Sequence, residues 1–197
     1  MPTLNQPGAW GDEPTDDDPG VRVLRAADLT RDGRVHTEKA AWRRLGDKDR
    51  ERRLMQDGDL ILERSGGGPA APVGRIALIE ESAPIYCSNF CQHLRLDATR
   101  CSARFAARAL WHRYMRGVTE RLEQRTTGIR NLDYEGYLMY PIPLPSMREQ
   151  EAIADALDSA ESAIESERDR LSALELMKSS TADALLSGQL NATQQKE

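Results

Sequence analysis

The sequence predicts an α+β domain with a small mixed or antiparallel sheet, followed by one long helix. Three observations carry that prediction. Short β-prone runs, such as VRVL at Val21–Leu24 and LILE within Asp59–Glu63, are separated by glycine and proline turns. Ser102–Met115 has helical spacing. From Ser146 onward, apolar residues recur at alternating steps of four and three. A chain of 197 residues holds one globular domain plus an appendage. Its 39% hydrophobic and 30% charged content suits a moderate core joined to a solvated, charge-rich element.

Residues 1–20 are rich in Pro, Gly and Asp and are expected to be a poorly ordered, flexible segment, with Trp10 available as an anchor. Val21–Leu24 reads as a strand and Ala26–Leu29 as a turn out of it. Residues 47–55 suit a short helix leading to the turn at Asp57-Gly58. Asp59–Glu63 and Val73–Glu80 read as strands separated by SGGGPAAP, Ser65–Pro72. A further strand is expected over Ile85–Leu96. The helix at 102–115 offers Phe105, Leu110, Trp111, Tyr114 and Met115 for packing. Residues 117–136 are mixed, with a turn at Thr127-Gly128. Pro141, Pro143 and Pro145 forbid a helix, so Tyr137–Pro145 is expected to be extended and edge-like. No internal repeat is visible, so each element is present once. The expected division is a domain at 10–145 and a helix at 146–190.

Ser146 followed by Glu149 reads as a capping box that opens the helix. Ile153, Leu157, Ala160, Ile164, Leu171 and Leu174 then form a heptad seam whose phase runs on to Leu185, and no Pro or Gly intervenes before Gly188. Roughly 40 residues at 1.5 Å each make a helix on the order of 60 Å long. So narrow a seam needs a partner. The helix either folds back on its own domain or, as its length favours, protrudes as one strand of a coiled coil.

No apolar run approaches membrane-spanning length, and the N-terminus has neither the basic nor the apolar stretch of a secretory signal. Three cysteines without framework spacing fit a reducing compartment, so a cytoplasmic protein is expected. The net charge of −5 hides a strong segregation. Residues 1–20 carry five acids and no base. Residues 21–130 carry 22 Lys and Arg, 20 of them Arg, against 14 Asp and Glu. Residues 131–197 carry 5 against 13. A phosphate backbone responds to the local field, which makes the basic middle segment the candidate contact region. The other reading of these charges is a solvated surface.

GDLILERSGGG (Gly58–Gly68) with VGRIALI (Val73–Ile79) is followed by YCSNFCQHLRLD (Tyr86–Asp97) and a helix containing ALWHRYM. TGIRNLDYEGYLMYPIPLP (Thr127–Pro145), REQEAIADALD (Arg148–Asp158) and MKSSTADALLSGQL (Met177–Leu190) come next. This succession resembles the target-recognition domain and helical region of type I restriction-modification specificity subunits, from about Trp10 to Leu190. The resemblance implies sequence-specific binding of double-stranded DNA, without catalysis or cofactor, alongside methyltransferase subunits and in some systems a restriction subunit. Two domains and two antiparallel helices in the family read a bipartite target. One of each here implies a homodimer through antiparallel helices. The reading from another class is a coiled-coil scaffold whose recognition fold no longer binds DNA.

Gly66, Gly67 and Gly68 let a loop approach a phosphate or base edge closely, and Arg64, Ser65 and Arg75 are donors suited to such contact. A hairpin connection that touches nothing is the plain alternative. No Gly-Lys-Ser/Thr follows, so a nucleotide loop fits less well. Arg130 and Asn131 are the residue types that pair with guanine and adenine, and equally suit a turn that caps a strand. Ser88, Asn89, Arg125 and Thr127 are the further candidate DNA-contacting residues. Cys87, Cys91, His93 and Cys101 lack the spacing of a compact zinc site, and no metal is expected. Neither an acid-and-lysine nuclease cluster nor a methyltransferase loop is visible, so catalysis belongs to a partner.

Overall fold

A computed structural model of the chain describes residues 2–68, 71–126 and 129–189, with the backbone alone at Arg125 and Thr126. The chain divides into two units, Met1–Ala154 and Asp155–Glu197. The first is mixed α+β. It opens with β1 (Pro2–Pro7), β2 (Val21–Leu24), β3 (Ala41–Arg43) and helix α1 (Asp47–Arg53). Next come β4 (Leu60–Glu63), β5 (Ser65–Gly66), β6 (Ile76–Leu78), β7 (Ile85–Cys87) and β8 (Cys91–Leu96). Helix α2 (Ala103–Met115), β9 (Glu123–Thr126), β10 (Ile129–Leu132) and helix α3 (Tyr134–Met139) follow, and α4 (Met147–Leu186) begins in this unit.

The strands form an antiparallel sheet ordered β1-β8-β4-β6 and two three-stranded sheets, β3-β2-β7 and β5-β10-β9. β2 runs parallel to β7 and antiparallel to β3. Strand β4 explains why its sequence is apolar throughout instead of alternating: both its edges are paired and both its faces are covered. Leu60 and Leu62 pack with Leu94, Ala106, Leu132 and Tyr137 on one side. Ile61 packs with Leu24, Met55, Ile85 and Cys91 on the other.

Residues 2–7 correct the expectation of a poorly ordered N-terminus. They pair antiparallel with β8, from Pro2 opposite Leu96 to Pro7 opposite Gln92. Both prolines are tolerated because β1 is a sheet edge, where a missing N–H leaves no ladder bond unmade. The acidic stretch after it is held by arginines distant in sequence. Glu13 pairs with Arg43, and Asp18 with Arg50 at 2.9 Å. The Arg43 guanidinium also lies over the Trp10 ring, 4.4 Å from its centroid.

Two further expectations change. Ile85–Leu96 is two strands broken by a turn at Ser88–Phe90. Tyr137–Met139 is helical, because Asp133 caps α3 by accepting from the Gly136 N–H at 3.1 Å. That helix stops just before Pro141, whose ring disfavours helical geometry in the residue preceding it. The rest of the expected strut, residues 140–146, has no regular secondary structure. Met115, expected to pack, is about half exposed.

α4 begins as its sequence predicts. Ser146 N–H and Oγ–H donate to Glu149 Oε2 at 2.9 and 2.7 Å. Gln150 does more than cap. Buried to 1% exposure, it accepts from the Ser102 N–H at 2.9 Å and donates to the carbonyls of Pro145 and Arg100. It thereby ties the first turn of α4 to the N-terminus of α2. In the second unit the described residues are helical as far as Leu186, and Gly188 beyond them lies in the left-handed region, at φ 75°.

An ionic cluster centred on the buried Asp59, just before β4, reaches across to β8. Asp59 receives Arg95 Nε and Nη2 at 2.7 Å each, and lies 2.7 Å from His93 Nε2. Burial pushes the Asp59 carboxyl up, but the hydrogen bonds from His93 and Arg95 outweigh it and hold the group at about 2. A depressed carboxylate stabilises the fold above its ordinary value of 3.8 and loses that contribution as pH falls toward 2. Urea unfolding between pH 5 and about 2 is therefore expected to show wild type losing on the order of 2 kcal/mol that Asp59→Asn does not lose. Parallel pH profiles for the two proteins would contradict this role.

Candidate functional site

β4 ends in Glu63, whose side chain has no exposed surface, and the chain leaves it as Arg64–Gly68. Arg75 reaches back from just before β6 and grips that carboxylate with two bonds. Its Nε donates to Oε2 at 2.9 Å and its Nη2 to Oε1 at 2.8 Å. Its remaining Nη1 donates to the Leu29 carbonyl at 2.6 Å. Gly67 N–H donates to Glu63 Oε1 at 3.2 Å, which draws the glycine loop onto the same anchor. Gly67 has φ +50°, and a Cβ there would stand 2.7 Å from Val73 Cγ1, so close packing as well as backbone angle requires glycine.

Two neighbouring segments are laced to this loop. The Phe90 carbonyl accepts from the N–H groups of Arg64 and Ser65, at 2.8 and 3.1 Å, which fixes the β7–β8 turn beside it. β5 pairs with β10, Ser65 opposite Asn131 and Gly66 opposite Arg130, and Ser65 Oγ–H donates to Asn131 Oδ1 at 2.6 Å. Arg130 is bonded to Glu123 at 2.9 Å. Arg64 donates to Gln92 Oε1 at 3.1 Å and covers the Tyr134 ring at 4.8 Å. Beneath the loop and the turn lies an open cleft of ≈ 620 Å³, bordered by Gly66, Gly67, Asn89, Phe90, Trp10 and Arg25. Arg31 and Arg34 are exposed on the loop closed by the Leu29–Val35 bridge. That loop is joined to the cleft through the bond from Arg75 to Leu29. The arrangement offers an amide side chain, an aromatic ring and guanidinium groups. These are groups of the kinds that contact phosphates and base edges.

The sequence matches the model of the type I restriction modification DNA specificity domain over residues 15–176. The chain belongs to that family. Solved structures with a similar fold include two from type I systems. The type I restriction-modification S subunit of M. genitalium superposes with a TM-score of 0.55 at 19% identity, covering 93% of this chain and 44% of that one. A chain from a structure addressing complex assembly and conformational transition of the type I R-M system gives 0.56 at 17% identity, covering 90% and 41%. The specificity domain described here thus spans less than half the length of either solved chain. No curated protein matches the sequence.

Within this specificity domain, the candidate DNA-facing residues come from four separate segments, and the fold gathers several of those that the structure describes. Arg64, Ser65, Gly66, Gly67, Ser88, Asn89, Arg130 and Asn131 share the loop, the turn and the small sheet just described. The backbone of Arg125 pairs with Arg130 across β9 and β10, and Thr127 lies outside the described residues. Arg75, expected as a surface donor, has a side chain only 14% exposed, with its guanidinium engaged by Glu63 and Leu29. Its placement is that of a residue that holds the loop in shape.

Cys87 and Cys91 are core residues, and burial pushes both thiols up, Cys91 to about 12. Cys101 packs with a different cluster, and His93 is taken by Asp59. Among the described residues no three His, Cys, Asp or Glu side chains converge on a metal-sized space, and no helix is long and apolar enough to cross a membrane. On α4, the seam residues Ile153, Leu157, Ile164, Leu171, Leu174 and Leu185 are between 41% and 57% exposed, and Ala160 is exposed too. Sequence reasoning missed Phe90, Arg25 and Glu63. Ser88-Asn89, two turn formers inside an apparent strand, carried the signal for the turn that exposes Phe90. Nothing in the sequence pairs Glu63 with Arg75.

Proposed function

We propose that the chain reads DNA sequence as a non-catalytic specificity component of a type I methyltransferase complex in the cytoplasm. Methyltransferase subunits, and a restriction subunit where the system has one, supply the chemistry. The observation that supports this most strongly is the convergence of the glycine loop, the Ser88–Phe90 turn and β10 on one rim, in a domain of the specificity family. The exposed apolar seam of α4 supports pairing with a second copy as an antiparallel helix, which would present two domains to the halves of a bipartite, inverted target.

Gel mobility of random duplex DNA with the purified protein, with and without methyltransferase subunits from the same genome, tests the reading. Binding that weakens steeply with salt is expected. Arg64→Ala and Arg31→Ala are each expected to flatten the dependence of log affinity on log salt by about one phosphate contact. Absence of binding in both preparations would contradict DNA reading. Unchanged affinity and slope in a variant that melts as wild type does would remove that arginine from the contact set.

A further inference from the structure

We infer that the Ser88–Phe90 turn is a specificity-determining element that reads an A·T base pair, Asn89 through the adenine edge and Phe90 through the thymine methyl group. The inference rests on the DNA-reading function proposed above and names the bases that one part of that site takes. Three observations carry it.

The turn is rigid. Cys91 N–H donates to the Ser88 carbonyl at 2.9 Å, Ser88 N–H donates to the Leu24 carbonyl at 2.8 Å, and the Phe90 carbonyl takes both loop amides. Ser88 itself is buried, its Oγ 3.8 Å from Cys91 Sγ. The side chains of Asn89 and Phe90 are both exposed on this held turn and available to meet a ligand. Rigidity matters because base reading tolerates little play in the reading groups.

The aromatic ring lies outside the buried core clusters. The chain holds two phenylalanines. Phe105 is buried in the core, whereas Phe90 is 45% exposed at the mouth of the cleft. An exposed ring held on a fixed turn next to a polar rim is a contact surface for an apolar group on a polar ligand. On a DNA base edge that group is the thymine 5-methyl.

The neighbour on the turn supplies the complementary half. An Asn amide presents a donor and an acceptor side by side, the match for adenine N7 and N6 in the major groove. Asn89 takes no part in the ladder, ion pairs and side-chain hydrogen bond that engage Ser65, Arg75, Arg130 and Arg64. Adenine and the methyl of its paired thymine lie in the same groove, so adjacent turn residues address one pair without moving the backbone.

The test uses the full chain with its methyltransferase subunits. Wild type, Asn89→Ala, Asn89→Asp and Phe90→Ala select binders from a random duplex library, and the enriched site is then probed with single-atom base changes. Uracil replaces each thymine, removing only the methyl. 7-Deazaadenine replaces each adenine, removing only the N7 acceptor. For wild type, one uracil position is expected to weaken binding about 4-fold, as burial of one methyl implies. One deazaadenine position is expected to weaken it by about 5-fold or more. Phe90→Ala should be indifferent to that uracil and Asn89→Ala to that deazaadenine. Asn89→Asp should prefer cytosine at the same place, because a carboxylate accepts from its N4 amine. A wild-type motif that all three variants keep, position by position, overturns this inference and leaves the DNA-reading function standing. A wild type that enriches no motif overturns the function itself.

Discussion

Arg75→Ala is expected to destabilise the domain by about 3–5 kcal/mol, the cost of leaving a buried carboxylate without its cation. For a domain of this size that corresponds to a melting temperature lower by roughly 6–20 °C. Glu63 has no exposed surface and loses two charge-assisted bonds at once, while the Leu29 carbonyl loses a third. The glycine loop, held through Gly67 N–H to the same carboxylate, loosens with it. Replacing both partners by apolar residues, as in Glu63→Leu with Arg75→Met, should restore much of the lost stability, because no unpaired charge then remains. A melting temperature within a degree or two of wild type for the single variant would show that the pair does not carry the loop.

Ile164→Asp with Leu171→Asp is expected to abolish self-association through α4. The two positions lie in the middle of the seam, are more than half exposed in the single chain, and would become buried in an antiparallel pair. Two carboxylates per helix in that seam face desolvation without cations to meet them, a larger loss than the apolar contacts they replace. Sedimentation velocity should show wild type as a dimer at tens of micromolar and the variant as a monomer with unchanged helix content. A wild type that stays monomeric under those conditions contradicts self-pairing and directs the seam to another chain's helix.

The long helix was legible because its signal is periodic and local: the heptad seam and the Ser146–Glu149 box are each readable within a few residues, and α4 runs from 147 to 186. Strands β2 and β4 and helix α2 were legible for the same reason, through short apolar runs and a capped helical spacing. What sequence order hides is partnership across distance. The N-terminal strand looked like a tail because half its residues face solvent and its partner, β8, lies some 90 positions away. Tyr137–Met139 looked extended because prolines dominate the segment, while the cap that makes it helical sits upstream at Asp133. In the candidate site, the glycine loop and the polar residues around it were visible as chemistry. Whether an arginine faces outward or grips a buried acid was not, and Arg75 is the case in point.

The most direct measurement is the map of methylated bases in DNA from a host that lacks other modification systems. The host expresses the methyltransferase subunits from the same genome with this chain, without it, or with Asn89→Asp in its place. The predicted result is methylation confined to one bipartite motif in the presence of the chain, absent without it, and altered at one base pair by the substitution. The same methylated motif with and without the chain would contradict its role as the component that reads the sequence.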